Sequence, residues 1–218
     1  MEPTIYKPSI YKGTGVYKLG GGGEEYQEIQ ILGNKYKCKE INGYLWMCEN
    51  LKYPIGTFRA SKDESGYYYP NGNIENFDKH GYLYNLHAAK ELIENIGNVE
   101  SEWHVPTRDN YRNDLFNFIA LSQTSRVGYY LKSTENWDSG TSIDILGFSV
   151  LASGRASATS NANEETYSEF GTTAYYWTST QYSASIQYNV VFNTTNDISV
   201  ASNGTSSCEP IRLCKKLE

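Results

Sequence analysis

The chain is poor in the residues on which several protein classes depend. No apolar run approaches the roughly 18 residues that a membrane-crossing helix needs, and mean hydropathy is −0.58, so no membrane insertion is expected. There are three histidines, His80, His87 and His104. No carboxylate stands at metal-ligand spacing from His87 or His104, so all three read as structural and no metal is expected. The four cysteines, Cys38, Cys48, Cys208 and Cys214, contain no Cys-x-x-Cys pair. They read as four free, mostly buried thiols, or as a bridge from Cys38 or Cys48 to one of the C-terminal pair. Basic residues are outnumbered, 19 Lys and Arg against 25 Asp and Glu, for a net charge of −6 and a pI near 5.2. A duplex-DNA binder would carry a basic face, so nucleic acid is not an expected partner.

Catalytic signatures are missing as well. No Gly-x-Ser-x-Gly elbow occurs, and the glycine run 20–23 lacks the Lys-Ser/Thr of a phosphate loop. Carboxylate pairs such as Glu24-Glu25 and Glu164-Glu165 lie in polar stretches that read as solvated. No cofactor is expected. The start, MEPTIYKPSIYKG, has no apolar core behind its charges and does not read as a secretory signal. That fits a chain used without the general secretion route, or one whose signal has been removed.

What the chain has is tyrosine, 20 of 218 residues. Tyr with Ser and Asn is the composition of adaptable recognition surfaces, and equally that of strands whose rings pack against one another. The N-terminal segment stands apart. Ile5-Tyr6-Lys7, Ile10-Tyr11-Lys12 and Val16-Tyr17-Lys18 repeat an apolar-Tyr-Lys triplet before the run Gly20 to Gly23. Residues 1–23 read as an arm that attaches to a partner or to sister subunits, most simply in a trimer, with a disordered leader as the alternative. Residues 24–218 read as the globular domain. There, Gly33-Asn34 and Asn42-Gly43 mark hairpin turns between short strands, and residues 52–80 read as long loops with one strand. Apolar residues at three- and four-residue steps predict a helix from Tyr82 to Ile96, closed by Gly97-Asn98. A second helix is predicted after Pro106, with Thr107 as its cap, Asp109 in its first turn, and a stripe of Tyr111, Leu115, Phe118 and Ile119. Strands follow to the end. The fold expected is therefore α+β, two helices on mixed or antiparallel strands, with both ends of the domain in one sheet.

Short motifs in this order resemble one family, the Fibrobacter succinogenes major paralogous domain. They are Trp46-Met47-Cys48-Glu49-Asn50-Leu51, Gly81-Tyr82-Leu83-Tyr84-Asn85, Trp103-His104-Val105-Pro106-Thr107, Leu131-Lys132-Ser133 with Trp137, Gly147-Phe148-Ser149 with Gly154-Arg155, Trp177-Thr178-Ser179-Thr180, and Ile211-Arg212-Leu213-Cys214-Lys215. The resemblance implies a C-type-lectin-like fold, shared with formylglycine-generating enzymes and with the variable proteins of diversity-generating retroelements. The family has Ala where this chain has Cys48, and an acidic-then-Trp step where it has Asn110-Tyr111. The start of the arm is similar to the leaders of tail proteins of phages of gut Bacteroidales.

Two chemistries of that superfamily find little support in the residues. Formylglycine-generating relatives use two C-terminal cysteines, but Cys214 falls in the family's ordinary Arg-x-Cys strand. Calcium lectins would show Glu-Pro-Asn or Gln-Pro-Asp, where this chain has Glu209-Pro210-Ile211. The expectation is thus a non-enzymatic receptor-binding module in a virion, at a phage tail tip. A bacterial cell-surface adhesin or polysaccharide-binding protein is the alternative, and a formylglycine-generating-type enzyme a more distant one. Its partners would be a host-surface protein or glycan and, through the arm, other tail proteins. The binding residues expected are the anchors Tyr175, Tyr176 and Tyr182, with Tyr188 a fourth unless it turns inward, and Gln181, Ser183, Ser185, Gln187, Asn189, Asn193, Asn196 and Asn203 beside them. Strand alternation predicts Ile186, Tyr188, Val190 and Phe192 on one face, and Ser185, Gln187 and Asn189 facing solvent on the other.

Overall fold

The computed structural model describes residues 9–12, 15–18, 26–120 and 126–218. In chain order its strands are β1 (Ser9–Lys12), β2 (Gly15–Lys18), β3 (Gln27–Ile31), β4 (Asn34–Ile41), β5 (Tyr44–Met47), β6 (Thr57–Phe58), β7 (Gly66–Tyr68) and β8 (Leu83–Asn85). They continue with β9 (Trp103–His104), β10 (Ser153–Ser157), β11 (Thr166–Phe170), β12 (Ala174–Ser183), β13 (Ile186–Phe192), β14 (Ile198–Gly204), β15 (Ser207–Glu209) and β16 (Cys214–Lys216). The helices are α1 (Phe77–His80), α2 (Leu86–Val99), a π-helical stretch (Asn110–Phe116) running into α3 (Asn117–Ala120), and α4 (Val127–Leu131).

Two open sheets carry the domain, so the expectation of a mixed α+β chain, mostly strands with few helices, holds. The smaller sheet has the order β3-β4-β5-β16-β9. Its centre joins both ends of the domain, because Cys214 pairs with Trp46 on one side and His104 on the other. The larger sheet runs β14-β13-β12-β10-β15-β8-β7-β6, with β11 paired to β10. β1 and β2 form a separate hairpin that zips two of the three Tyr-Lys triplets together, Ile10 opposite Tyr17 and Tyr11 opposite Val16. The first triplet and the glycine run lie outside the described residues, as does the subunit contact expected of them.

The turn chemistry explains the hairpins. Asn42 and Gly43, both at positive φ (51° and 75°), make the two-residue link between Ile41 and Tyr44, the backbone twist that antiparallel strands prefer. The earlier turn falls one residue before its expected place, at Leu32-Gly33 with φ of 49° and 78°, because Ile31 pairs with Asn34. Asn34 thus opens β4.

Both predicted helices exist with altered boundaries. Apolar periodicity from Tyr82 runs across a strand, since Leu83–Asn85 is β8 and α2 begins only at Leu86. Asn85 switches the chain between the two, its side chain accepting from the Ala88 amide at 3.0 Å. The helix then passes through Gly97-Asn98 to Val99. In the second helix Thr107 caps as expected, its Oγ1 accepting from the Asn110 amide at 2.9 Å. The wider π turn buries Phe116 beside Tyr111, Leu115 and Ile119, leaving Phe118 half-buried.

One core cluster packs α2 residues such as Leu92 and Ile96 with Leu45, Met47, Trp103, Trp177 and Leu213. A second packs Tyr111, Leu115 and Ile119 with Trp46, Phe148, Tyr176, Val190 and Phe192. Each fully buried large apolar side chain contributes about 1.5–3 kcal/mol.

Candidate functional site

The motif residues converge on one buried node. Asn50 Oδ1 accepts from Arg212 Nε at 2.9 Å and from the Tyr176 hydroxyl at 3.1 Å, while its amide donates to His80 O and Ser153 Oγ. Arg212 also donates to the carbonyls of Phe148 and Ser149. Its guanidinium lies over the Phe148 and Tyr176 rings at 4.7 and 5.1 Å. Each of these groups is satisfied by another within the fold, so the node reads as a framework.

His80, His104 and the cysteines are bound into the framework too. Burial pulls the His80 pKa from 6.5 down to about 4, and its Nδ1 lies 3.0 Å from Ser153 Oγ. His104 Nε2 stands 3.3 Å from Cys214 Sγ. All four cysteines are free and buried. Burial pushes the Cys38 and Cys48 thiols to about 12, and those of Cys208 and Cys214 higher still. Cys208 and Cys214 lie on strands of different sheets. Among the described residues no three His, Cys, Asp or Glu side chains come together in a way that could hold a metal ion.

The expected binding face needs correction at four places. Tyr176 is fully buried and bonded to Asn50. Tyr175 is nearly so, its hydroxyl donating to Glu169 Oε2 at 2.7 Å and its ring under the Arg155 guanidinium at 5.0 Å. Gln187 and Asn189, expected in solvent, are buried as well. Alternation holds for Val190 and Phe192, which enter the core, but the second side of β13 is covered too. Gln187 Nε2 donates to Thr178 O at 2.8 Å. Asn189 Nδ2 donates to both oxygens of Glu209 at 2.8 Å. Glu209 is the physical reason: a fully buried carboxylate must gather donors, and it takes them from Asn189, Asn203 (2.6 Å) and Ser207 (2.8 Å). Burial still raises its pKa above the ordinary carboxylate value.

The other expected residues remain at the surface. Tyr182 is 59% exposed, Gln181 and Ser185 are exposed, and Ser183, Asn193, Asn196 and Asn203 are half-buried. Tyr182 meets Tyr188 edge-on, with ring centroids 5.3 Å apart, and the Arg108 guanidinium lies over the Tyr188 ring at 5.0 Å. The sequence leaves Tyr188 open between the core side and a fourth anchor, and the structure makes it half-buried. Sequence reasoning does not include Arg108, which belongs to a distant helix start. The Arg108 amide is tied to Thr180 Oγ1 at 2.9 Å, which carries the helix start to the end of β12.

Beside this aromatic pair opens a cavity of 570 Å³, lined by Arg108, Arg112, Asn117, Tyr188, Asn196 and Asp197 over a floor that includes Phe116 and Ile198. Two buried polar atoms of its lining have no hydrogen-bond partner, Arg108 Nε and Asn196 Oδ1. Arg108 Nε stands 3.5 Å from Asp109 Oδ1, an ion-pair distance without a hydrogen bond. Asn196 is held at φ 69°, and its carbonyl accepts from the Gly128 amide at 3.2 Å. A Cβ on Gly128 would stand 2.6 Å from that carbonyl, so glycine there admits the close approach. The cavity leaves a donor and an acceptor unmet beside the exposed Tyr182 ring and the half-buried Tyr188 ring.

The structure is thus an α+β domain with a polar-lined cavity on the β12–β14 side. The sequence matches the Fibrobacter succinogenes major domain over residues 40–214, and the chain belongs to that family. No curated protein and no solved structure matches it.

Proposed function

We propose that the chain is a non-enzymatic receptor-binding module whose ligand sits on the β12–β14 face, between the Tyr182–Tyr188 pair and the Arg108–Asn196 cavity. The observation that carries this reading is the pair of unmet polar atoms in that cavity, because buried polar groups without partners are rare in native structures. The buried, high-pKa thiols and the framework role of Asn50, His80 and Arg212 support binding over catalysis. In this reading the domain is a branch of the C-type-lectin-like fold. The segment 1–23 mounts it, as a trimer, on a phage tail in the virion, and the ligand is a host-surface protein or glycan.

The test is adsorption of labelled protein to a panel of gut Bacteroidales cells. Tyr182→Ala with Asn196→Gly, which keeps the positive φ, should abolish adsorption or move it to another host while leaving the melting curve nearly unchanged. Full-strength adsorption by the double variant would overturn the assignment of this face.

A further inference from the structure

A second built surface lies at the other edge of the larger sheet, where β6 is the terminal strand as β14 is at the opposite end. Phe58, Tyr67, Tyr69, Phe77 and Tyr82 follow one another closely along the chain, and the fold stacks them into one platform. Phe58 lies 4.9 Å from Tyr69 and 5.5 Å from Tyr67. Tyr82 lies 5.7 Å from Tyr69 and 4.4 Å from Phe77. Phe58 is 39% exposed and Ile74 63% exposed. Exposed aromatic area of this kind is a recurrent mark of a binding surface.

Between this platform and β11 is a cavity of 380 Å³, lined by Phe58, Arg59, Tyr69, Asn73, Glu165 and Tyr167 among others. Its polar wall is built around Glu165, whose side chain is only 2% exposed. Oε1 accepts from Arg59 Nε at 2.5 Å and from the Tyr167 hydroxyl at 2.7 Å. Oε2 is buried and has no partner. Burial works against the charge, but the hydrogen bonds from Tyr167 and Arg59 hold the carboxyl below its ordinary pKa. The wall is preformed: Arg59 Nη2 also donates to Asn163 O at 3.0 Å. Asn76 Nδ2 donates to Pro70 O at 2.9 Å, closing the loop that carries Asn73. A Cβ on Gly72, which sits at φ +66°, would stand 3.0 Å from the Tyr167 ring, so glycine allows the loop to close on that ring.

We propose that this cavity binds a pyranose ring of a neutral glycan, its C–H face on Phe58 and Tyr69 and one hydroxyl donating to Glu165 Oε2. The chemistry selects that class by elimination. An unmet carboxylate oxygen needs a donor, and an aliphatic or aromatic side chain docked there would leave it unpaired. Arg59 already balances the Glu165 charge, which favours an uncharged O–H over an ammonium. The electron-rich ring faces accept the polarised C–H groups of a sugar. A flat apolar face with hydroxyls around its rim meets both demands at once.

The test uses the full chain and saturation-transfer NMR with a panel of free methyl glycosides: gluco-, galacto-, manno-, fuco-, xylo- and N-acetylglucosaminides. Cyclohexanol is the apolar control. At least one glycoside should bind with a dissociation constant on the order of 1 mM or tighter and more tightly than cyclohexanol. Phe58→Ala should weaken it roughly tenfold or more, and Glu165→Gln should weaken it too. Val99→Ser, a surface change on α2, should leave it intact. Because Glu165→Gln also breaks the Arg59 pair, Phe58→Ala, whose ring is partly exposed, is the deciding variant if the former fails to fold. No binding by any glycoside, equal binding of cyclohexanol, or undiminished binding by Phe58→Ala would each overturn the proposal. The cell-adsorption readout of the Tyr182 and Asn196 variants is separate, so either site can fail alone.

Discussion

Arg212 and Asn50 lie 162 residues apart in sequence and 2.9 Å apart in space, guanidinium Nε to amide Oδ1. Both are fully buried. The contact ties the segment after β5 to the one before β16, and through Tyr176 it reaches the larger sheet. Replacing Asn50 by Ala takes one acceptor from a buried guanidinium that keeps the Phe148 and Ser149 carbonyls, at a cost of roughly 1.5–3 kcal/mol. Arg212→Met removes the same contacts from the other side. The double variant should cost clearly less than the sum of the two, as read from denaturant melts. Additive losses would show that the pair does not act as a unit.

Phe192 tests the core beneath the β12–β14 face. It is fully buried, edge-on to Phe116 at 5.8 Å and to Tyr176 at 6.1 Å. Phe192→Ala should cost roughly 3–5 kcal/mol. Tyr182→Ala with Ser185→Ala, both exposed, should change stability by no more than about 0.5 kcal/mol each. Chemical denaturation of the two variants side by side gives the comparison.

Asn189→Ala should destabilise by about 1–3 kcal/mol, because it takes two hydrogen bonds from the buried Glu209 carboxylate. Pairing it with Glu209→Gln should recover part of the loss, since the neutral amide demands fewer donors. Unchanged stability in Asn189→Ala would mean that the carboxylate finds solvent or another donor.

The contrast between Asn189 and Tyr182 marks how far the sequence can be read. Periodicity locates the α+β class, the two central helices, the Asn42-Gly43 turn and the core role of Val190 and Phe192. Those follow from local pattern alone. Alternation reports that two faces differ, however, and is silent on whether the polar face meets water or a buried carboxylate from another strand. It therefore sends Gln187 and Asn189 to solvent. Leu83 reads as helical because a strand as short as β8 adds no periodicity of its own. Arg108 is invisible to local pattern, since its partnership with Tyr188 joins segments far apart in the chain.

His80 predicts a pH response. Its folded pKa is about 4 against an ordinary 6.5, so above pH 6.5 both folded and unfolded chains carry it neutral and its contribution is constant. Between pH 6.5 and 4 the unfolded chain takes up the proton first, and stability falls, by roughly 3 kcal/mol across the window. Asp144 and Glu209, raised by burial, act in the opposite sense as pH falls. The informative quantity is thus the difference between the wild type and His80→Gln in urea melts at successive pH values. Parallel curves would remove His80 as the cause.

Thiol accessibility gives a further check. With all four cysteines buried and free, the native protein should react slowly with an aromatic disulfide reagent at pH 8. Under denaturant it should release four equivalents, one for each cysteine in the sequence. Two equivalents would reveal a bridge.

The position of β16 between β5 and β9 bears on how the chain reaches this state. An interior strand of the smaller sheet is supplied by residues 214–216, after the other strands of the domain have been made. A ribosome-bound chain can close its local hairpins, but it cannot complete this sheet until those residues emerge. Such distant pairing folds slowly. The loop-closure penalty itself grows only gently, by about 0.6 kcal/mol for each doubling of loop length. A frameshift or early stop within the β12–β14 segment would remove β16 and leave a product open to proteolysis, whereas exchange of an exposed side chain such as Tyr182 would leave the fold intact. The architecture therefore couples the β12–β14 segment to the far end of the chain: it tolerates exchange of exposed side chains there and eliminates truncation.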